Sequence, residues 1–467
     1  MKRLVVALGL VLVMAFSLPA AAGINTEIGG KVQTDLYYNE KDGLWAYGEV
    51  AAKITMSAGT DGAVKAVLGL GATEAEGKGD FGNDEGGSKL TTGKEVVLQI
   101  DTAYIEANGA WLEGTPEVTT KFGRFGTNYS DWVANLGNRD AIELSNIDLG
   151  PVSVAGLYAW ANGVPFSEDP LKERFKDEWE EDEEGEGEFT KAIKGLDWRI
   201  VALKAGADLD VVQLSGAYVS TYVPDDDTYS LNDYVISATA VPAEGLKVDA
   251  TFAGTNYALP DPIGDEQGSA WKVGAEFSTI PNLTLTASIW ASDDAFNPVY
   301  AKLDGNKPVA FRGWDKPDER KGVEVGASTT QAGFDISGKV ARTTDANDNN
   351  EALSYEVSLK RDFGGVIGTY KYEDGDKKDY LHTITVETTV ATPIISALNL
   401  KGTVRLPEGG EVQYAADATW KAPNGFSVGV HYANYDRKGD WGGRDVNKGN
   451  KGQADGFTIK VGHTIEW

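Results

Sequence analysis

The residue types that most often perform catalysis or bind metals are few and scattered in this sequence. The chain of 467 residues has no cysteine and only three histidines, which are His382, His431 and His463. None of them has a serine-centred or zinc-type pattern of residues around it, so we expect each to be an ordinary part of a strand. Carboxylate pairs stay open as a catalytic option because acidic residues are abundant. We interpret the protein as a non-enzyme.

Two acidic stretches have compositions that divalent cations could use. Glu168 to Glu188 contains twelve acidic residues against three basic ones, which is typical of a solvated surface loop, with loose calcium or magnesium binding as the alternative. The spacing of a calcium-binding loop recurs at Asp345, Asn347, Asn349 and Glu356. Asn350 stands where such a loop requires glycine. We expect no metal site and no cofactor, and the alternative for the first stretch stays open.

The first residues predict export from the cytoplasm. A basic start is followed by an apolar run, Leu4 to Phe16, and then by small residues that include Ala20 and Ala22. This is the pattern of a cleaved signal peptide covering residues 1–22, with 23–467 as the mature protein. The alternative, a retained membrane anchor, needs a longer apolar run of roughly 18 to 20 residues.

The charge balance limits the partners of the exported chain. The whole chain has a formal net charge of −28, and cleavage removes two basic residues, Lys2 and Arg3. Nucleic acid and anionic headgroups attract basic surfaces, so we expect neither as a partner. Without cysteine, the exported protein is held together by its backbone network and packing rather than by disulfides.

The elements that must position the polar residues are predicted to be strands. Segments of about ten to twelve residues alternate apolar with polar or small residues, which is typical of strands that cross a bilayer at a tilt. In 398–406 the polar positions include Lys401 and Arg405. At the C-terminus, one parity carries Phe457, Ile459, Val461, Ile465 and Trp467.

The predicted connections alternate between tight turns and longer polar stretches. Ile280 to Asn282 and Gln331 to Gly333 are tight, whereas Asn162 to Lys194 and Asp293 to Arg320 are long. This asymmetry predicts an all-β fold, a single large antiparallel transmembrane β-barrel of about 18 to 22 strands with short periplasmic turns and long extracellular loops. An even strand number places both termini on the short-turn rim. We expect 455–467 to pair with the first strand, because hydrocarbon does not tolerate open sheet edges.

Aromatic residues fall mostly near the ends of the predicted strands. They are expected to form two girdles at the headgroup level of the membrane. Examples are Tyr158, Tyr257, Trp271, Trp290, Trp420 and Tyr432.

The whole mature chain resembles Gram-negative outer-membrane porins of the general diffusion type. The stretch 103–106, Ala-Tyr-Ile-Glu, and the stretch 119–126, Thr-Thr-Lys-Phe-Gly-Arg-Phe-Gly, are similar to a pattern that many porins carry before their constriction loop. The resemblance implies an outer-membrane location, with a homotrimer as one option for the assembly. It also implies that the barrel-assembly machinery recognises Ile459, Val461, Ile465 and Trp467.

A barrel of this width encloses water unless something fills it, and no plug sequence precedes the first predicted strand. We therefore interpret the protein as a channel for passive diffusion of small polar solutes and ions. The resemblance places the constriction in the loop between the fifth and sixth predicted strands, Gly126 to Arg139, with the candidates Asn128, Tyr129, Asp131 and Arg139. The parity of the strands predicts lumen charges at Asp101, Asp249, Glu387, Lys401, Arg405 and Lys460.

Two other classes of protein fit the same patterns. One is a structural or adhesive outer-membrane barrel that displays acidic surface loops. The other is a soluble, secreted all-β binding protein.

Overall fold

Antiparallel β-strands form the described part of the chain. The computed structural model describes the following residues, and all structural statements concern them: 25–39, 43–58, 63–72, 98–111, 115–162, 196–224, 226–258, 265–293, 295–296, 298–300, 303–304, 307–308, 321–344, 351–375, 378–391, 397–407, 410–435 and 456–466. No helix with the length and hydropathy of a membrane span occurs among them.

Thirteen strands precede the connection at 293–320, which contains a short hairpin of its own. They are β1 (Asn25–Asn39), β2 (Gly43–Ala58), β3 (Val64–Ala72), β4 (Leu98–Ala110), β5 (Glu117–Ser130), β6 (Ala134–Asp148), β7 (Val152–Asn162), β8 (Asp197–Leu209), β9 (Val212–Val223), β10 (Asp226–Ala243), β11 (Leu246–Ala258), β12 (Glu266–Phe277) and β13 (Leu283–Ser292).

A short hairpin, with two residues in each strand, and nine further strands follow. The hairpin is β14 (Leu303–Asp304) with β15 (Lys307–Pro308). The remaining strands are β16 (Lys321–Gln331), β17 (Phe334–Thr344), β18 (Glu351–Asp362), β19 (Val366–Gly375), β20 (Lys378–Val390), β21 (Leu398–Pro407), β22 (Gln413–Lys421), β23 (Phe426–Ala433) and β24 (Gly456–Glu466).

The 22 long strands form one closed sheet. Each pairs antiparallel with its neighbour along the chain, and β24 pairs with β1 from Lys31 opposite Glu466 to Asn39 opposite Thr458. The sheet therefore has no free edge among the described strands, as hydrocarbon requires. The predicted all-β barrel and the predicted pairing of the last strand with the first are confirmed, and the strand number lies at the upper end of the predicted range.

The two faces of each strand differ in charge. One face carries large exposed apolar side chains, such as Ile236, Ile289 and Val325. On this face the charged residues of the described strands lie within three positions of a strand end, except for the ion pair between Arg124 and Asp140 at 3.7 Å. The other face carries most of the charged and hydroxyl side chains. Alternation of this kind is expected of a barrel with lipid outside and water inside.

The two rims differ in the length of their connections. On one rim the connections range from two residues, as at 210–211, to seven at 391–397. The other rim carries the longest connections, at 73–97, 163–196, 293–320 and 434–455. The predicted sorting of short turns and long loops onto opposite rims is therefore confirmed. Some connections predicted to be longer are short, because strands extend past bulges such as the one at Asp226/Ser230.

Two positions that disturb the sequence pattern are explained by their partners. Arg124 has the parity of the outer face, and the pairing from Thr119 to Phe125 runs without a bulge, so the side chain does face outward, beside Asp140. His463 also has outward parity. It lies at the short-turn rim, where its Nε2 is 3.2 Å from the carbonyl oxygen of Asn424.

Candidate functional site: the barrel lumen

The charged face is the interior of the barrel, because residues from strands that are not neighbours meet across it. The segment Asp293–Tyr300, described at 293, 295–296 and 298–300, contacts β6, β9 and β11 at once. We call it the inserted segment. It follows β13 and turns into the lumen rather than away from the rim. Its side chains at Phe296, Val299 and Tyr300 are all buried.

A chain of hydrogen bonds joins the inserted segment to the wall. The backbone N–H of Val299 donates to the hydroxyl of Tyr257 at 3.1 Å, and that hydroxyl donates to the carboxylate of Asp233 at 2.9 Å. Tyr257 and Asp233 are both buried. The hydroxyl group is used as acceptor and as donor, so each buried polar group in this chain has a partner.

Tyr300 completes the attachment. Its hydroxyl is 2.8 Å from the hydroxyl of Thr221, and its carbonyl accepts a hydrogen bond from the N–H of Asn135 at 2.8 Å. The guanidinium of Arg139 lies 5.5 Å from the centre of its ring, which is within the range of a cation–π contact. Burial raises the pKa of the Tyr300 phenol to about 12, so it is a neutral hydrogen-bonding group at physiological pH.

The wall that receives the inserted segment is apolar. From β6 to β13 the inward positions near the long-loop rim carry buried apolar side chains, among them Leu157, Ala159, Trp198, Ile200, Ala202, Val219, Val235, Ala253 and Trp290. Close approach also needs Gly268 of β12. A Cβ atom there would lie 2.2 Å from the backbone nitrogen of Phe296, so glycine is required for the contact.

The end of the β5–β6 hairpin also bends into the lumen. The hydroxyl of Tyr129 donates to Glu143 at 3.0 Å, although Glu143 lies opposite Lys121, eight residues earlier in β5. Eight residues of extended strand would span roughly 26 Å, so the hairpin must fold back over its own wall. Register shifts at Phe125/Thr127 and Asn128/Ser130 permit this bend.

Lys121 anchors the wall below the bent hairpin. Its ammonium is 3.5 Å from Glu106 and 3.6 Å from Glu143, on the two flanking strands. It also lies 5.3 Å from the ring centre of Tyr104 and 5.1 Å from that of Phe125. One ammonium, two carboxylates and two aromatic rings therefore form a single cluster of contacting side chains in the wall.

The predicted constriction residues lie on the bent hairpin, but the connection is shorter than predicted. The loop expected over 126–139 is largely strand, and only 131–133 separate β5 from β6. Asn128 donates to Asp131 across this turn. Tyr129 reaches Glu143 and Arg139 reaches Tyr300, so these two contact other parts of the lumen.

Five of the six predicted lumen charges have inward-facing positions. Asp249 accepts a hydrogen bond from Thr239 at 2.6 Å and lies 3.2 Å from Lys247. Arg405 lies 5.1 Å from the ring centre of Tyr435. Three others line one cleft of about 550 Å³ in the wall, at Glu387, Lys401 and Lys460. The sixth, Asp101, lies at a register shift between β3 and β4, and its side chain is outside the described residues.

Neither the inserted segment nor the apolar wall that receives it was predicted from the sequence. Tyr257 and Trp290 were expected in the aromatic girdles, but the structure corrects this, because both face the lumen and are buried. A signal was present. Trp290 shares the parity of Thr284, Thr286 and Ser288, which are polar inward positions of β13, and Tyr257 shares that of Asp249.

Metal-binding arrangements are absent from the described part of the chain, where no group of three His, Cys, Asp or Glu side chains is placed to hold an ion. Glu356, one of the residues with calcium-loop spacing, instead contacts Lys339 and Lys371, each at 3.5 Å. The acidic stretch 168–188 and residues 345–350 lie outside the described residues.

No protein-family model and no curated protein sequence matches the chain. Similar solved structures include the translocation pore of the P pilus usher PapC, with a TM-score of 0.41 and 10% identity over 95% of this chain and 99% of that chain. OccK10 (OpdN) of Pseudomonas aeruginosa gives a TM-score of 0.40 and 8% identity over 94% and 98%. OccAB2 of Acinetobacter baumannii gives 0.39 and 11% over 95% and 98%.

These similarities concern the fold alone. The features that matter here are the closed ring, the charged interior and an outer face whose charges, apart from the Arg124–Asp140 ion pair, lie near the strand ends. The chain forms a closed antiparallel β-barrel with a mainly apolar outer face and a charged interior. The resemblance seen in the sequence is confirmed at the level of the fold.

Proposed function

We propose that the protein is an outer-membrane channel through which small polar solutes and ions diffuse passively. The observation that carries this proposal is the closed barrel of 22 strands with a charged interior. A barrel of this size is too wide for its wall side chains to fill. The inserted segment is attached to β6, β9 and β11, and charged side chains line the wall elsewhere.

The narrow part of the channel is then bounded by the inserted segment and the bent hairpin on one side. Asn128, Tyr129, Asp131 and Arg139 are our candidates for lining it. Charges near a narrow point bias which ions pass. We propose that the lumen charges set this bias, namely Asp101, Asp249, Glu387, Lys401, Arg405 and Lys460.

The same proposal covers location and assembly. Residues 1–22 act as the signal peptide, short turns face the periplasm and long loops face the exterior. The barrel-assembly machinery recognises the last strand through Ile459, Val461, Ile465 and Trp467. In support, Ile459 and Val461 have outward parity on β24, which forms the seam with β1. A homotrimer, as porin resemblance implies, is tested by sedimentation in detergent.

Single-channel recording in planar bilayers tests the proposal. We expect stepwise, ohmic conductance from protein whose mobility on a gel changes on heating, the sign of a folded barrel. Reversal potentials in a salt gradient, with Arg405→Gln and Asp131→Asn compared with the parent, then report the ionic bias. Silence from well-folded protein would overturn the channel and favour a surface barrel that displays acidic loops.

A further inference from the structure

A cleft of about 550 Å³ lies in the lumen wall, away from the inserted segment. It is formed by residues of β19 to β24 and by Gly365 of the turn before β19. Apart from Ile367 and the charged residues, the inward part of its lining is small and hydrogen-bonding, at Gly429, Ser427, Thr389, Asn399 and Thr419. Short side chains at these positions leave room for a ligand against the wall.

A row of alternating charges crosses the cleft. Glu387 lies directly opposite Lys401, Lys401 opposite Asp417, and Asp417 opposite His431. All four face inward and line the cleft. Directly opposite residues have Cβ atoms about 5 Å apart, so oppositely charged neighbours can normally form an ion pair.

Some such neighbours elsewhere on the inner wall do pair. Lys121 and Glu106 are directly opposite and lie 3.5 Å apart, and so do Lys339 and Glu356. Lys247, opposite Glu276, pairs instead with Asp249 at 3.2 Å. Lys401 differs from all three because its side chain forms no ion pair among the described residues.

Lys401 has a carboxylate on each side but pairs with neither of them. Asp417 is instead bonded to His431, at 2.9 Å from its Nδ1. Neither the Lys401 side chain nor the Glu387 side chain has an ion-pair or hydrogen-bond partner among the described residues. One cation and one anion are therefore available side by side at the edge of the cleft.

We propose that the cleft binds α-amino acids in their zwitterionic form, with the carboxylate on Lys401 and the ammonium on Glu387. This inference rests on the proposed function and names a solute class for it. The two charged groups of an α-amino acid are attached to a single carbon, which suits a lysine and a glutamate on adjacent strands. The hydroxyl, amide and glycine lining favours small polar side chains.

A ligand with only one charge leaves the opposite wall charge without a partner and should bind more weakly. Charge-assisted hydrogen bonds are among the stronger polar contacts in proteins. Losing one of the two is expected to weaken binding about tenfold or more.

Calorimetric titration of the detergent-solubilised barrel tests the site without requiring conductance. The probes are L-serine, 3-hydroxypropionate, which lacks the ammonium, and ethanolamine, which lacks the carboxylate. We expect serine to bind and the other two to bind at least about tenfold more weakly. Equal binding of serine and 3-hydroxypropionate would overturn the proposal, and so would absence of serine binding.

Variants then assign the site to the cleft. Lys401→Met and Glu387→Gln should each weaken serine binding about tenfold. The double variant that exchanges the two charges, Lys401→Glu with Glu387→Lys, should recover part of the serine affinity, with the ligand bound in the reverse orientation. The control is Lys204→Met, which removes an inward lysine halfway round the barrel on β8. An equal loss in this control would show that general lumen charge, and not the cleft, governs binding.

The outcomes for the site and the channel are separable. Conductance without serine binding overturns the amino-acid site and leaves the channel intact. Serine binding by a protein that is silent in bilayers retains the site and overturns the channel.

Discussion

Tyr257 uses both hydrogen-bonding functions of its hydroxyl to hold the inserted segment on the wall. It accepts from the backbone of Val299 and donates to Asp233, and all three groups are buried. A carboxylate in such a place is tolerated only while it has a donor. The Tyr257 oxygen therefore contributes both to the attachment of the segment and, beside the backbone N–H of Val299, to the hydrogen bonding of buried Asp233.

The Tyr257→Phe variant tests this dependence. Removing the hydroxyl takes one of two donors from buried Asp233, which the backbone N–H of Val299 also contacts, and should cost about 1 to 3 kcal/mol of unfolding free energy. Single-channel current should also become noisier or larger as the segment loosens. Urea titration in detergent and bilayer recording measure the two effects. Tyr218→Phe, on the outer face, removes a hydroxyl bonded to Asn232 and should leave the current unchanged.

Lys121 is a second residue on which buried charge depends. Lys121→Met leaves the buried carboxylate of Glu143 without its cation, so we expect a loss of roughly 2 to 4 kcal/mol in unfolding free energy. Lys339→Met is the matched control, because its ion pair with Glu356 is more exposed and such pairs contribute less than about 1 kcal/mol. Urea titration of both variants gives the comparison, and equal losses would contradict the role of burial.

At the scale of elements, β12 accommodates the inserted segment because Gly268 has no side chain. Gly268→Val places a branched side chain where the backbone of Phe296 lies. The segment should be displaced into the lumen or out of it, and the single-channel conductance should change while the barrel stays folded. Gly402→Val on the outer face of β21, where a Cβ meets nothing within 4 Å, is the control. An unchanged conductance in Gly268→Val would mean that the segment does not limit the current.

Strand faces could be predicted from the sequence, whereas the occupant of the lumen could not. Alternation places Lys401, Arg405 and Val461 on their observed faces, since the side-chain period of a strand is fixed by its geometry. The inserted segment depends on contacts between strands that are far apart in the chain, such as Asn135 with Tyr300. No local pattern encodes such a contact. The inward parities of Trp290 and Tyr257 are local clues, and their meaning depends on knowing what covers these side chains.

At the scale of the whole molecule, the central band of the outer face carries no charge among the described residues except the Arg124–Asp140 ion pair, so a new unpaired charge there should be unfavourable. Val461→Arg on β24 places a charge toward lipid, which should cost about 2 to 4 kcal/mol if the position is near the middle of the bilayer. Thr458→Arg, on the inward face of the same strand, is the matched control and should fold normally. Folding into lipid vesicles, followed by the heat-dependent gel shift, measures the difference. Equal folding of both variants would contradict the assigned faces.

The seam between β1 and β24 has a consequence for how the barrel forms. Lys31 meets Glu466, so the two strands that close the ring are the two most distant in sequence, and the entropy of bringing them together is the largest of any pair in the sheet. Every other pair of neighbouring strands can form through the connection that joins the two strands in the chain. The pairing of β1 with β24 has no such connection and therefore forms last. Until it forms, β1 and β24 each expose an unpaired edge to any other chain nearby. The slow step of folding is therefore also the step most open to aggregation, and a factor that shelters these two edges would speed folding without adding stability.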